Sequence, residues 1–338
     1  MSALKKALST LPKTLYETYD RILLGIESAG QRQDAITALR WLCFSDVPLH
    51  LSEIIEVLAI ENGDSGGFCP DERLPDPADI MVICSSLISC SEIDKEACNT
   101  RIRLAHFSVK EYLLSDRCPL TLDFQTPTCH IAMAEGCLHY LLYLYKNLPL
   151  TKDLVDQHPL SRYAAEYWWQ HARATDHTLN PTVINLARKL LMNKGAGVLP
   201  WIQLYDVGSP RKGIYLSLTI EDVAPPLYYA ASIGLLQVVE NIMPQVVDIN
   251  AKGGYHGNAL QAASANGDEK VVQILLDAGA DVKAEGGQYG NALLAASVNS
   301  DEKVVQMLGP MSTLKEEGMA VYYRQHQQMV TRRWCRCC

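Results

Sequence analysis

Apolar positions in the last third of the chain recur with a period of 33 residues. The run that begins Asn258-Ala-Leu-Gln-Ala-Ala-Ser returns as Asn291-Ala-Leu-Leu-Ala-Ala-Ser. Leu260 aligns with Leu293, Gly257 with Gly290, and Val271-Val272 with Val304-Val305. A more divergent copy, Pro226-Leu227-Tyr-Tyr-Ala-Ala-Ser with Gly234 and Val238-Val239, lies one period upstream. Within a unit the apolar residues follow two helical stripes. Leu260 and Ala263 belong to a first helix that ends near Gly267; Val271, Val272, Leu275 and Leu276 belong to a second. Gly279 stands where a helix end needs positive φ. Asp281-Val282 opens an extended segment that leads to the turn at Gly286-Gly287. Small alanines on the first helix let neighbouring units approach closely, and one unit alone cannot cover its apolar face, so the pattern predicts stacked helix pairs.

Upstream, residues 1–30 form an amphipathic helical region with Leu15, Tyr19, Ile22, Leu23 and Ile26 on one face. Helical spacing returns over 34–43, Pro48-Leu49 suggests a short strand, and 52–60 a further helix. Residues 62–69 are Gly-rich and predict an exposed, flexible loop. Asp76-Pro77 predicts an N-cap and first turn for a helix over 77–84. Segments 86–91 and 101–104 are expected to pair as a hairpin across the polar stretch 92–100. Ser108 to Glu111 reads as a capping box that starts a last helix. Asn180-Pro181 starts a helix that runs to Asn193, with Gly195 as its stop. Trp201, Leu204 and Tyr205 are expected to dock under the first repeat.

Composition narrows the function. A chain of 338 residues predicts two or three domains, and 48% hydrophobic content supports packed cores. The net charge of −8 opposes binding by phosphate neutralisation. No apolar run is long enough for a membrane span, and the start lacks a signal-peptide core. Eight of the 11 cysteines are scattered between Cys43 and Cys137 without metal-ligand spacing, which reads as reduced core thiols in a cytoplasmic protein.

The 33-residue unit resembles ankyrin repeats, which bind other macromolecules and carry no chemistry of their own. The remainder shows a second resemblance. Leu11-Pro12, Leu15 to Leu23, Leu39-Arg40-Trp41 with Phe44-Ser45, Pro48-Leu49, and Arg103 to Leu113 around His106 look like the segment that follows the NACHT module in fungal NACHT–ankyrin proteins. These are NOD-like receptor relatives of the STAND class. Pro159 to His171 resembles the helical bridge of that family. The resemblance implies a winged helix, a helical bridge and an ankyrin array in this order. One departure stands out: the sequence holds no Gly-x-x-x-x-Gly-Lys-Ser/Thr phosphate loop, so ATP hydrolysis by this chain is not expected. The chain then reads as a receptor fragment, a truncated product or a free-standing adaptor.

Candidate residues follow. In relatives a winged-helix Met-His-Asp motif places its His near nucleotide phosphates, and Leu104-Ala-His106-Phe107 resembles that position, so His106 is a nucleotide-sensing candidate in a full-length context only. DNA reading by the helix over 77–84 is disfavoured, because Asp76, Asp79, Ile80, Met81, Val82 and Ile83 are acidic or apolar. Tyr163, Tyr167, Trp168, Trp169 and His171 read as a core or docking cluster rather than an aromatic ligand cage. The turn tips carry Lys252, Tyr255, His256, Gln288 and Tyr289, and an exposed Tyr and His on a rigid turn make a recognition pair. The pattern breaks after Leu308. The tail with Arg332, Arg333, Cys335, Cys337 and Cys338 reads as out-of-frame sequence, with lipidation or a metal site involving His326 as rivals.

The expected fold is mainly α: a helical segment over 1–33, a winged-helix unit with a small β-hairpin over 34–118, a helical bridge over 119–220, a short ankyrin solenoid of about three repeats over 221–308 with the last incomplete, and a disordered tail over 309–338. The expected function is non-enzymatic protein–protein interaction through the repeats, with no catalytic residue, cofactor, metal or nucleic acid; a DNA-binding regulator and a standalone adaptor or decoy are the alternatives. A truncated last helix is expected to fray and leave Val304, Val305 and Met307 poorly covered.

Overall fold

The computed structural model describes residues 14–28, 31–90, 100–175, 180–193, 198–209, 213–298 and 301–309. The first part of the expected N-terminal helix, most of the stretch 92–100, the stop at Gly195 and the tail with its cysteines lie outside the described residues.

The fold is mainly α, with two short two-stranded ladders among the described residues. Helix α1 (Leu15–Ser28) turns Tyr19, Leu23 and Ile26 inward at helical spacing. It packs on α5 (Phe107–Leu113): the Tyr112 ring lies 5.3 Å from the rings of both Tyr16 and Tyr19, and its hydroxyl donates to Asp20. Helices α2 (Arg32–Phe44) and α3 (Leu51–Leu58) supply Ile36, Leu39, Leu51 and Ile54 to the same core. The wing is β3 (Ile88–Cys90) antiparallel to β4 (Ile102–Leu104), with Ile88 opposite Leu104 and Cys90 opposite Ile102. The strand expected at Pro48-Leu49 contracts to one bridge, His50 with Arg101, flanked by Ile102 N–H donating to the Leu49 carbonyl at 3.2 Å.

Three local expectations are corrected. Asp76 accepts from the Ala78 N–H at 2.8 Å and so makes a turn, while helix α4 begins later, at Asp79–Ile83. The last winged-helix helix is capped by His106, whose Nδ1 accepts from the Ser108 N–H, and not by a box starting at Ser108. The Gly-rich stretch is no free loop. Strands β1 (Ile60–Glu61) and β2 (Gly67–Phe68) pair antiparallel, and their turn is clamped on α6 (Thr126–Lys146). Gly63 N–H donates to Glu135 at 3.3 Å, His139 Nε2 donates to the Gly63 carbonyl at 2.9 Å, and Asn62 donates to the Ala132 carbonyl at 3.1 Å. Phe68 is buried, its ring centroid 4.5 Å from Tyr140 and 4.9 Å from Tyr143.

A charged network reinforces this seam. Glu56 of α3 is 3% exposed. It pairs with Arg73 at 2.5 Å and accepts from the Tyr140 hydroxyl of α6. Arg73 also lies over the Phe68 ring and donates to the Gln157 carbonyl at 3.2 Å.

Helix α6 is buried over most of its length and runs against α8 (Ser161–Arg173). Between α6 and α8, His130 Nδ1 and His171 Nδ1 lie 2.9 Å apart, and His171 Nε2 meets the Tyr163 hydroxyl at 2.9 Å. Helix α7 (Lys152–Asp156) joins the two. Helix α9 (Pro181–Met192), capped by Asn180, touches α6 on one side and the first repeat on the other. Helix α10 (Val198–Leu204) carries Trp201, whose indole N–H donates to the Ala165 carbonyl at 2.8 Å and whose ring lies 5.4 Å from Trp168 and 5.8 Å from Tyr229. Trp201 thus docks against the first repeat as the sequence predicts. Cys43, Cys84, Cys118, Cys129 and Cys137 are buried free thiols. Burial pushes Cys43 and Cys84 up to about 12, so these side chains stay protonated and inert.

Three helix pairs follow among the described residues: α11 (Pro226–Ile233) with α12 (Leu236–Ile242), α13 (Ala259–Asn266) with α14 (Glu269–Asp277), and α15 (Ala292–Val298) with α16 (Glu302–Leu308). Equivalent residues make equivalent bonds. The Asn258 and Asn291 side chains accept from Gln261 N–H at 2.8 Å and Leu294 N–H at 2.9 Å, and Ser232, Ser264 and Ser297 each donate to the carbonyl four residues back. Helix α16 forms through Leu308. Val304 is fully buried and Val305 and Met307 half-buried, with α15 of the same unit and α14 of the preceding one both packed against α16. The expected exposure of Val304 is therefore corrected.

Removal of Glu56 takes the acceptor from the buried Tyr140 hydroxyl and the partner from the half-buried Arg73. Glu56→Ala is therefore expected to destabilise the chain by about 3 kcal/mol, read as a lower urea midpoint. A second expectation concerns pH. Burial, then the neighbouring His130, push His171 down to about 3 from the ordinary 6.5, and burial also lowers His130. The fold thus holds both imidazoles neutral while the unfolded chain protonates them. This stability is complete above about pH 6.5 and lost as pH falls below it; at pH 5.5 the His171 share amounts to about 1.4 kcal/mol. Thermal melts at pH 7.5 and 5.5 should show the drop, and His171→Gln should flatten it.

Candidate functional site

The surface that carries the predicted recognition residues is built from two hairpin-like fingers, one period apart. In the first, Gly253 N–H donates to the Gly257 carbonyl at 2.8 Å; in the second, Gly286 N–H donates to the Gly290 carbonyl at 2.8 Å. Five residues closing on themselves leave no room for side chains at two places. Gly254 has φ +74, and a Cβ there would stand 2.2 Å from the Tyr228 ring. Gly287 has φ +65, and a Cβ there would stand 2.0 Å from the His256 carbonyl oxygen. Both positions need glycine for conformation and for space.

Each finger is held by the same position of the preceding first helix. Tyr228 accepts from the His256 N–H at 3.3 Å. Gln261, one period later, donates to the Ala284 carbonyl at 3.0 Å and the Gly290 carbonyl at 3.4 Å. The fingers also bind each other, since Gln288 N–H donates to the Tyr255 carbonyl at 3.0 Å. The His256 and Tyr289 rings stack at 5.8 Å with 15° between their planes, and Tyr255 meets His256 edge-on at 5.2 Å.

This geometry sorts the predicted residues. Lys252, Tyr255 and Gln288 are exposed, with Tyr255 at 41%. His256 and Tyr289 are half-buried, and burial lowers the imidazole of His256 from its ordinary range. The expected exposed Tyr–His pair is therefore half right: the tyrosine faces solvent, while the histidine is turned into the inter-finger stack by the next repeat. Tyr228 and Gln261 are supports that sequence reasoning missed. Their signal was the shared repeat position, a large polar side chain where the third unit has Leu294.

His106 lies far along the chain from the fingers, at the start of α5. Its ring is exposed, packs on Phe107 at 4.3 Å and sits 2.7 Å from the Ser108 hydroxyl, which in turn meets the Tyr19 hydroxyl at 2.8 Å. In the aromatic cluster, Tyr163, Trp168 and His171 are buried and Tyr167 and Trp169 half-buried, as core side chains are. Among the described residues no group of three or more His, Cys, Asp or Glu converges on a metal-sized site, and no helix is long and apolar enough to cross a membrane.

Comparison with known proteins matches these parts. Residues 21–126 match the family model for the winged helix domain of GPI inositol-deacylase, and residues 226–314 match the model for three copies of the ankyrin repeat. The chain is 36% identical over 280 residues to the azaphilone pigments biosynthesis cluster protein L of Monascus ruber. That alignment covers 78% of this chain and 59% of the relative, so the chain spans about three-fifths of the relative's length. Ankyrin repeats are non-catalytic interaction units, and the other match is confined to a winged helix domain. The chain therefore joins a winged helix domain of the GPI inositol-deacylase type to three ankyrin repeats.

Proposed function

We propose that this chain is a non-enzymatic protein-interaction module, the ankyrin sensor or scaffold part of a NOD-like-receptor-type signalling protein, acting in the cytoplasm. The observation that carries the reading is the pair of interlocked fingers. They present Lys252, Tyr255 and Gln288 outward on a backbone held by hydrogen bonds to Tyr228 and Gln261. A rigid turn loses little entropy when it binds, and tyrosine is the side chain that most often anchors an interface. The fungal relative agrees with a fungal setting for such a protein. His106 holds a helix start in this segment; a nucleotide-sensing role for it belongs to a longer chain that also supplies a phosphate loop. The DNA-binding alternative gains nothing from α4, a helix of five residues with Asp79 at its start.

Exposed finger residues can be changed without unfolding the stack. Tyr255→Ala combined with Gln288→Ala is expected to leave the melting temperature nearly unchanged and to weaken partner capture by about 2 kcal/mol. Tyr289→Ala should instead lower the melting temperature, because it removes the ring that covers His256. The test compares partners retained from fungal lysate by the parent and double-variant chains. Identical retention by both would remove the fingers from the interface. ATP turnover above background by the purified chain would contradict the non-enzymatic reading.

A further inference from the structure

The second and third repeats carry the same residue before their second helices and use it differently. Asp268 precedes α14, and Asp301, one period later, precedes α16. Both carboxylates lie over the left-handed glycine that ends the first helix of the preceding unit. A Cβ at Gly234 would stand 2.2 Å from Asp268 Oδ2, and one at Gly267 would stand 2.7 Å from Asp301 Oδ2.

Asp301 caps its helix: its Oδ1 accepts from the Lys303 and Val304 N–H groups, both at 3.1 Å. Asp268 makes no such bond, although Lys270 and Val271 offer the equivalent N–H groups. Its Oδ1 instead accepts from Arg173 Nη2 at 3.2 Å. Its Oδ2 is buried without a hydrogen-bond partner among the described residues. The local sequence does not account for this difference. Asp-Glu-Lys-Val-Val is identical over 268–272 and 301–305, so both helix starts have the same preference for a cap. What sets the second repeat apart is Arg173 at the end of α8. The first repeat has Leu235 at the equivalent position, so the second is the first to offer this arginine a carboxylate there.

We infer that Asp268 is a two-position switch: it either ties the bridge to the second repeat through Arg173, or turns back to cap α14 as Asp301 caps α16. The two positions are close in free energy. A salt bridge whose arginine side chain is 43% exposed is a weak contact, and salt screens it. A carboxylate that caps a helix start makes direct bonds to the backbone and meets the positive end of the helix dipole. Loss of the tie is therefore offset by gain of the cap, and the Oδ1 atom alone changes partners. The joint beneath is untouched, since Trp201 and α9 hold the first repeat in either position. The second repeat also supplies Gln261, which holds the second finger, so the tie links the bridge to the unit behind that finger.

The test is hydrogen exchange resolved to single amides on the full chain, read at Lys270 and Val271 with Lys303 and Val304 as internal reference. Arg173→Gln is expected to slow Lys270 and Val271 about fivefold, the effect of one helix cap, and to leave the reference amides unchanged. Asp268→Asn should act the same way, because asparagine caps as well as aspartate and pairs poorly with arginine. Asp268→Ala can form neither contact and should exchange at least as fast as the parent. Added salt should slow the two amides in the parent and leave them unchanged in Arg173→Gln. Thermal melts establish that each variant is folded. A salt bridge that merely supports the structure gives the opposite sign, because its removal speeds exchange. The inference is overturned if Lys270 and Val271 exchange at the parental rate or faster in Arg173→Gln. It is equally overturned if Asp268→Ala slows them as much as Asp268→Asn does, or if the parent and Arg173→Gln respond to salt alike.

Discussion

A stack of helix pairs always has open apolar ends, and the first end of this stack has to be closed by something that is not a repeat. The bridge meets that constraint. Helix α9 lies against both helices of the first repeat, and Trp201 of α10 reaches Tyr229 while its indole N–H is satisfied by the Ala165 carbonyl. Because α9 and α10 are themselves packed on α6 and α8, the cap is attached to the winged-helix side of the molecule. Buried apolar side chains consequently form one connected core from Tyr19 to Leu308. A second tie runs at the surface, where Arg173 at the end of α8 pairs at 3.2 Å with Asp268, the residue that opens α14 in the second repeat. Burial raises the Asp268 carboxyl while the Arg173 charge lowers it, so the arginine is what favours its ionised form.

Helix identity was legible because helical periodicity is local. Val271, Val272 and Leu275 fix the inner face of α14 without reference to any other part of the chain, and the repeat extends that reading to α12 and α16. The hairpin over residues 60–68 was not legible. Its strands are two residues each, and its glycines carry the signature of a loop. What orders it is a set of acceptors and donors on α6, supplied by Glu135, His139 and the Ala132 carbonyl, more than 60 residues away by the numbering. Such long-range support leaves no periodic trace in the sequence.

The candidate site divides along the same line. Turn position and glycine spacing located the fingers, since both are local. Which tip side chains remain in water was decided by the neighbouring finger, and His256 was lost to the Tyr289 stack for that reason. The cap at His106 illustrates a third kind of miss. Ring nitrogens are outside the usual set of Ser, Thr, Asp and Asn caps, so the sequence points to Ser108, two residues too late. The ring nitrogen and the serine hydroxyl in fact act together, and through Tyr19 they connect α5 to α1.

These observations bear on how the two halves of the molecule can influence each other. The winged-helix segment and the bridge meet across Glu56, Arg73 and Tyr140 and across the clamped hairpin, both of which bind α6. Helix α6 then meets α9, and α9 meets the first repeat. A displacement of the winged helix has to break a buried ion pair or carry α6 with it, and a displaced α6 shifts the element that caps the solenoid. Packed interiors transmit such shifts and do not absorb them. The connection is therefore stiff, and the winged helix and the repeats are parts of one mechanically continuous body.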